Sequence, residues 1–162
     1  IQTTPERLVI GTEPFQPRLV AEVDKLRFVT EDGIVFGQTT EAEGSGLPIL
    51  RGLYKNQTTN RLDNGSFAIG EANQRIVDEA LLAIQEATRY NIKYRSLNYD
   101  EFRGLSGELL EPSYRITLGF KPFDATYLKL QKIIDSLKER GLSSATIELD
   151  YKGKAFVKET VL

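Results

Sequence analysis

Residues 114–157, YRITLGFKPFDATYLKLQKIIDSLKERGLSSATIELDYKGKAFV, decide the fold. Their pattern predicts a strand, a helix, a second strand and a tight turn into a third strand. In the first two strands apolar and polar side chains alternate, which is typical of a half-buried strand. Lys152 and Gly153 form the predicted turn, because glycine adopts a positive φ without strain. Residues 154–157 then return as the outer partner of a closing hairpin.

The helix in this segment is predicted from its two ends and its apolar stripe. Asp124 is placed as the N-cap, since its carboxylate can accept hydrogen bonds from the free amides of the first turn. Phe123 and Leu128 stand at the spacing of a hydrophobic staple, and Gly141 supplies the left-handed stop. The apolar stripe consists of Leu130, Ile133, Ile134 and Leu137.

The chain upstream predicts further strands and one more long helix. We expect strands at residues 7–12, 18–23, 26–30, 34–36 and 92–98, and the helix at residues 72–90. Asp32-Gly33 is a strong hairpin signal between two of these strands. We expect Pro48 to keep the short extended segment 47–52 out of the sheet interior. Residues 104–107, which begin and end with glycine, are interpreted as part of a turn.

This order of elements predicts an α+β fold. The sheet is expected to be mixed and largely antiparallel, with two main helices packed on one face and the C-terminal hairpin at the sheet edge. Pro14 and Pro17 mark a predicted boundary, so residues 1–17 are interpreted as the remnant and linker of a preceding module. Residues 18–162 form the main domain. Because the chain begins with Ile1 and contains no Met, we expect it to be a piece of a longer protein.

Composition excludes several kinds of chemistry. The 162 residues contain no Cys and no His, which excludes thiol catalysis, disulfides, thiolate metal sites and histidine bases or ligands. The formal net charge of −2, with both signs mixed, gives no basic field for nucleic acid. Carboxylate neighbours such as Glu31 and Asp32 fit a turn, whereas a glycosidase needs two carboxyl groups across a cleft. The sequence therefore predicts no enzyme and no cofactor, and leaves a binding surface.

The closing hairpin is the predicted binding surface. An edge strand presents unpaired amides and carbonyls, which form a template for a partner strand. Tyr151 can supply an aromatic anchor. Lys154 and Lys158 either protect the edge from unwanted pairing or meet acidic groups of the partner. The small residues Gly153 and Ala155 let a second backbone approach. The predicted partner-binding residues are Tyr151, Gly153, Lys154, Ala155, Phe156, Val157 and Lys158.

Three stretches, in this order, resemble the extracytoplasmic domain of the bacterial cell-division protein FtsQ, called DivIB in some lineages. The first is RLVAEVDKLRFVTEDGIVF at residues 18–36, and the second is LPILRG at residues 47–52, similar to the family's LPxLxG. The third runs from YRITLG at residues 114–119 through the helix to IELDY at residues 147–151 and on to Gly153. Asp150 stands where the family has arginine, so a contact that depends on that positive charge is not carried over.

The resemblance implies a non-enzymatic scaffold of the division machinery, or divisome. It implies a bacterial inner-membrane protein with one upstream transmembrane helix, a POTRA module and then this domain on the periplasmic, extracytoplasmic side. Residues 7–12 would be the last strand of the POTRA module. The implied partners are FtsB-like and FtsL-like proteins, of which the FtsB-like one adds a strand to the last β-strand.

Two other hypotheses remain open on the residues alone. One is an extracytoplasmic domain that binds a small ligand or cell-wall carbohydrate in a pocket between sheet and helices. The other is an enzyme that uses carboxylates only, which would require two acidic side chains converging in a cleft.

Overall fold

The computed structural model describes residues 15–41, 46–55, 60–62, 65–149 and 154–159. Within these ranges eleven strands form one sheet, accompanied by two helices. The helices are α1 (Glu71–Thr88) and α2 (Asp124–Glu139). The strands are β1 (Pro17–Glu22), β2 (Leu26–Thr30), β3 (Ile34–Phe36), β4 (Ile49–Arg51), β5 (Asn60–Arg61), β6 (Phe67–Ala68), β7 (Tyr94–Asp100), β8 (Gly104–Leu109), β9 (Ser113–Gly119), β10 (Ser144–Leu149) and β11 (Ala155–Glu159).

The sheet runs in the order β11-β10-β9-β8-β7-β4-β1-β2-β3-β6-β5. The pairs β9–β10, β1–β4 and β4–β7 are parallel, and the other neighbouring pairs are antiparallel. The predicted α+β class with a mixed, largely antiparallel sheet is therefore confirmed. The C-terminal strand pair β10–β11 lies at one edge, also as predicted. A parallel pair needs a crossover connection, and α2 provides it between β9 and β10.

Apolar faces of both helices complete a single core on one side of the sheet. On α2 the buried stripe contains Leu130, Ile134 and Leu137, as the helical spacing predicted. Helix α1 contributes Ile76, Val77, Ala80, Ala83 and Ala87. The facing strand residues include Leu19, Leu50, Leu97, Leu105, Ile116 and Ile147.

The first turn of α2 differs from its prediction. Asp124 is the first helical residue and the N-cap position belongs to Phe123, with no side-chain capping hydrogen bond. Leu128 is 49% exposed, so the staple with Phe123 was wrong. Tyr127 packs against Phe123 instead, with ring centroids 6.2 Å apart. Tyr127, four residues after Phe123, faces the core, whereas Leu128, five residues after Phe123, lies on the solvent side of the helix.

A buried chain of hydroxyl groups holds the two helices and the sheet together. The Tyr127 hydroxyl donates to the Ala83 carbonyl at 2.7 Å and lies 2.7 Å from the Tyr94 hydroxyl, which donates to it in turn. Desolvation raises the pKa of both tyrosines above its usual value. Both hydroxyls therefore stay neutral, and each of the two has a hydrogen-bond partner.

Two further predictions about local structure were wrong. Ile49–Arg51 is an interior strand between β1 and β7, because Pro48 stands just before the strand, where its missing amide interrupts no ladder bond. Gly104–Leu109 is a strand and its glycines are not part of a turn. The β7–β8 turn lies at residues 101–103 instead.

Some predictions fall outside the described residues. These are the strand at residues 7–12 and the Lys152-Gly153 turn. The boundary near residue 17 and the preceding module stay predictions. Neither described helix has the length and apolar character that crossing a bilayer requires.

Candidate functional site

Strand β11 forms the outermost row of the sheet at the C-terminal edge. It pairs with β10 in antiparallel register over Ala155–Glu159. Among the described residues no strand pairs with its other side. That side therefore presents a row of backbone amide and carbonyl groups outside the sheet ladder.

Two apolar side chains of β11 are largely exposed to solvent. Phe156 is 60% exposed and Val157 is 41% exposed. Phe156 pairs with Glu148 and projects on the open face of the sheet, whereas Val157 pairs with the buried Ile147 and projects on the helix face. Both faces of the edge thus offer an apolar contact.

A groove of about 390 Å³ lies between α2 and the helix face of β11; we call it the edge groove. Its apolar walls are formed by Ile133, Leu137 and Val157, and Lys132 stands at its rim. Arg140 at the end of α2 forms an ion pair with Glu159, which fastens the end of β11 to the helix. The edge strand therefore sits beside a shallow apolar groove rather than on a flat surface.

A strand added to β11 would use both features at once. Successive side chains of a strand point to opposite faces. Every second side chain of the added strand would therefore lie over the edge groove, and the others would lie beside Phe156 and Lys158. The edge can therefore select a partner strand by its side chains as well as bind its backbone.

The structure brings four of the predicted partner-binding residues together on β11: Ala155, Phe156, Val157 and Lys158. Lys154 immediately precedes them. Tyr151 and Gly153 lie outside the described residues. The binding role of all seven stays a prediction. Ile133 and Leu137, interpreted from sequence only as core positions, also line the edge groove.

A second groove lies at the end of the sheet where β7 turns into β8 and β9 leads into α2. It encloses about 940 Å³, and we call it the aromatic groove. Phe102 and Phe120 line it, together with Asn98, Ser106, Thr117 and Glu148. Sequence reasoning did not find this groove, because its floor depends on the register of four strands, which no local pattern records.

Two carboxylates converge between the helices. Oε2 of Glu86 is shielded from solvent and accepts no hydrogen bond from any described residue. Desolvation, together with the neighbouring carboxylate of Asp124, raises the pKa of Glu86, and Arg89 opposes the rise. Two ionised carboxylates cannot hydrogen-bond, but one shared proton would join them. Neither residue lines the aromatic groove.

Glu86→Gln is expected to stabilise the protein at neutral pH by about 1–3 °C in Tm. Because the folded pKa of Glu86 is raised, the folded state binds the proton more tightly than the unfolded chain. Its destabilising effect is fully present above the folded pKa and is relieved as pH falls toward the ordinary value of 4.5. The advantage of Glu86→Gln should therefore shrink between neutral pH and that value in thermal melts.

Glu79→Gln, on the same helix, controls for the change in net charge. An advantage of Glu86→Gln that is constant with pH, or equal to that of Glu79→Gln, would contradict the carboxylate contact.

No protein-family model matches the chain, and no curated protein matches it. The resemblance to the FtsQ family therefore rests on the three sequence stretches alone.

Proposed function

We propose that this chain is a non-enzymatic scaffold domain of bacterial cell division that recruits an FtsB-like partner by strand addition to β11. The observation that carries the proposal is the unpaired outer side of β11 within the described residues. The sequence resemblance to FtsQ supports the same edge. In this proposal the domain lies on the periplasmic side, anchored in the inner membrane by a helix upstream of Ile1.

The expected affinity is modest. A strand added along Ala155–Glu159 would form about three to five backbone hydrogen bonds, each contributing about 1 kcal/mol net. Association and ordering of the partner offset much of this gain. Side-chain contacts must therefore provide most of the specificity.

The edge defines the chemistry of the partner segment. One face of its strand should carry apolar residues that fill the edge groove against Ile133 and Val157. The other face should place an apolar residue beside Phe156 and an acidic residue beside Lys158. Acidic residues near the lysines would raise the association rate and make binding weaken with salt.

Titration of the domain with a peptide from the extracytoplasmic region of an FtsB-like protein tests the proposal. Binding should slow amide hydrogen exchange selectively at those residues of 155–159 whose amides point away from β10. Phe156→Ala should weaken binding about tenfold, since it removes the most exposed apolar contact of the edge.

Phe102→Ala truncates an equally large exposed side chain at the other groove and is the matched control. Peptide binding that leaves exchange at β11 unchanged would refute strand addition, as would equal losses in the two variants.

A further inference from the structure

The aromatic groove has two outward-facing aromatic rings. Phe102 is 82% exposed and Phe120 is 48% exposed. Phe102 does not owe its exposure to a loose loop, because Oδ1 of Asp100 accepts hydrogen bonds from the amides of Phe102 (2.8 Å) and Arg103 (3.0 Å). The fold therefore holds the turn that carries this large apolar ring in solvent, where the ring contributes almost no burial energy.

The floor of the aromatic groove is a row of small polar side chains on the open face of the sheet. In the sheet register Asn98 pairs with Ser106, Ser106 with Thr117, and Thr117 with Glu148. The side chains of Asn98, Ser106 and Thr117 form no hydrogen bond with any other residue that the structure describes. The row therefore presents free amide and hydroxyl groups at neighbouring strand positions.

The row continues into a shallower depression of about 300 Å³. This depression shares Asn98, Ser106 and Thr117 with the aromatic groove and adds Ser96 and Thr146. Ser96 lies two residues before Asn98, and Thr146 two residues before Glu148, which is a distance of about 7 Å along each strand. An elongated ligand could follow this path from the rings across the sheet.

The charges along the aromatic groove balance. Arg103 and Lys129 line it with positive charge, and Asp100 and Glu148 with negative charge. The balance favours a ligand without net charge. The backbone groups of β8, β9 and β10 are paired on both sides, so an extended peptide finds no strand to join on this face.

We propose that the aromatic groove binds an unbranched, uncharged oligosaccharide. The apolar face of a sugar ring would pack on Phe102 or Phe120, in the way that aromatic side chains contact flat apolar groups. Its hydroxyl groups would exchange hydrogen bonds with Asn98, Ser106 and Thr117, which can act as donors and acceptors. This site adjoins the β11 edge, since Glu148 of its lining pairs with Phe156, but it does not depend on the scaffold function.

Chitotetraose and cellotetraose are the probes. The chain has no Trp, so binding is followed by calorimetry and by amide shifts in two-dimensional NMR. At least one probe should bind at concentrations up to about 10 mM, a weak but specific range, with shifts concentrated at residues 96–106 and 117–120. Phe102→Ala and Thr117→Val should each weaken binding at least tenfold, while Val157→Ala, on the helix face of β11, should leave it unchanged.

Three results would overturn the proposal: absence of binding by both probes, shifts located elsewhere, or unchanged affinity in Phe102→Ala. A fourth is loss of FtsB-like peptide binding in Phe102→Ala with no saccharide response, which would assign the groove to a protein partner. Folding of each variant is checked by its NMR spectrum. Because the variant side chains are exposed or lie on the open face, their removal leaves the core intact.

Discussion

One of two proline substitutions in β11 is expected to weaken partner capture strongly while the domain stays folded. Neighbouring residues of a strand point their amides to opposite sides, so Phe156→Pro and Val157→Pro test the two sides of β11 separately. One of them removes an amide that faces away from β10 and would bond to a partner. The other removes a bond of the β10–β11 ladder and should loosen the edge itself.

The variant that affects the outer side should bind an FtsB-like peptide at least about 30-fold more weakly, because it loses a ladder bond and places its ring against the incoming backbone. Its Tm should stay within a few degrees of the parent. Leu128→Ala removes another exposed apolar side chain and is the control for lost apolar surface. Alanine is used at this position because proline would disrupt α2. Full binding by the folded proline variant would exclude an added strand. Tyr151→Ala tests the predicted anchor in the same assay.

The sequence predicted the elements of this fold well where local chemistry determines them. The alternation through Ile147 and Leu149 defined β10, and Gly141 marked the end of α2. The spacing of Leu130, Ile134 and Leu137 oriented that helix correctly. These features depend on neighbours within a few residues, so the pattern alone carries the information.

The position of Ile49–Arg51 in the sheet depends on distant partners. Pro48 predicted an extended segment outside the sheet interior, yet parallel pairing with both β1 and β7 makes it an interior strand. A proline before a strand is compatible with either outcome. Only the pairing of segments some 30 residues or more apart distinguishes them, and no local pattern records that pairing.

The two candidate sites divide in the same way. The edge position of β11 followed from a terminal hairpin. The aromatic groove did not follow, because Asn98, Ser106, Thr117 and Glu148 meet only through the register of four strands. One local signal did exist: Asp100 precedes Phe102 and Arg103 at the spacing of a side-chain-to-backbone turn, which predicts an outward-facing ring at that turn.

The base of the aromatic groove depends on a contact between two glycines. Gly104 begins β8 with φ +77°, and Gly119 ends β9 with φ +82°. A Cβ at Gly104 would lie 2.3 Å from the Gly119 carbonyl oxygen, which belongs to backbone and cannot rotate away. A Cβ at Gly119 would meet nothing within 4 Å. An alanine would adopt a strained positive φ at either position, but only at Gly104 would its Cβ collide with a neighbouring strand.

Gly104→Ala is accordingly expected to destabilise the protein by about 3–5 kcal/mol, since it combines a left-handed alanine with displacement of a sheet strand. Gly119→Ala should lose only about 1 kcal/mol, the strain alone. Urea denaturation of both variants measures the difference, which isolates the backbone contact because the strain is common to both. Gly104→Ala should also displace Phe102 and Ser106, and so disturb the groove in any fraction that remains folded. Equal losses in the two variants would show that β8 and β9 do not approach each other this closely, and that the base of the groove is built in another way.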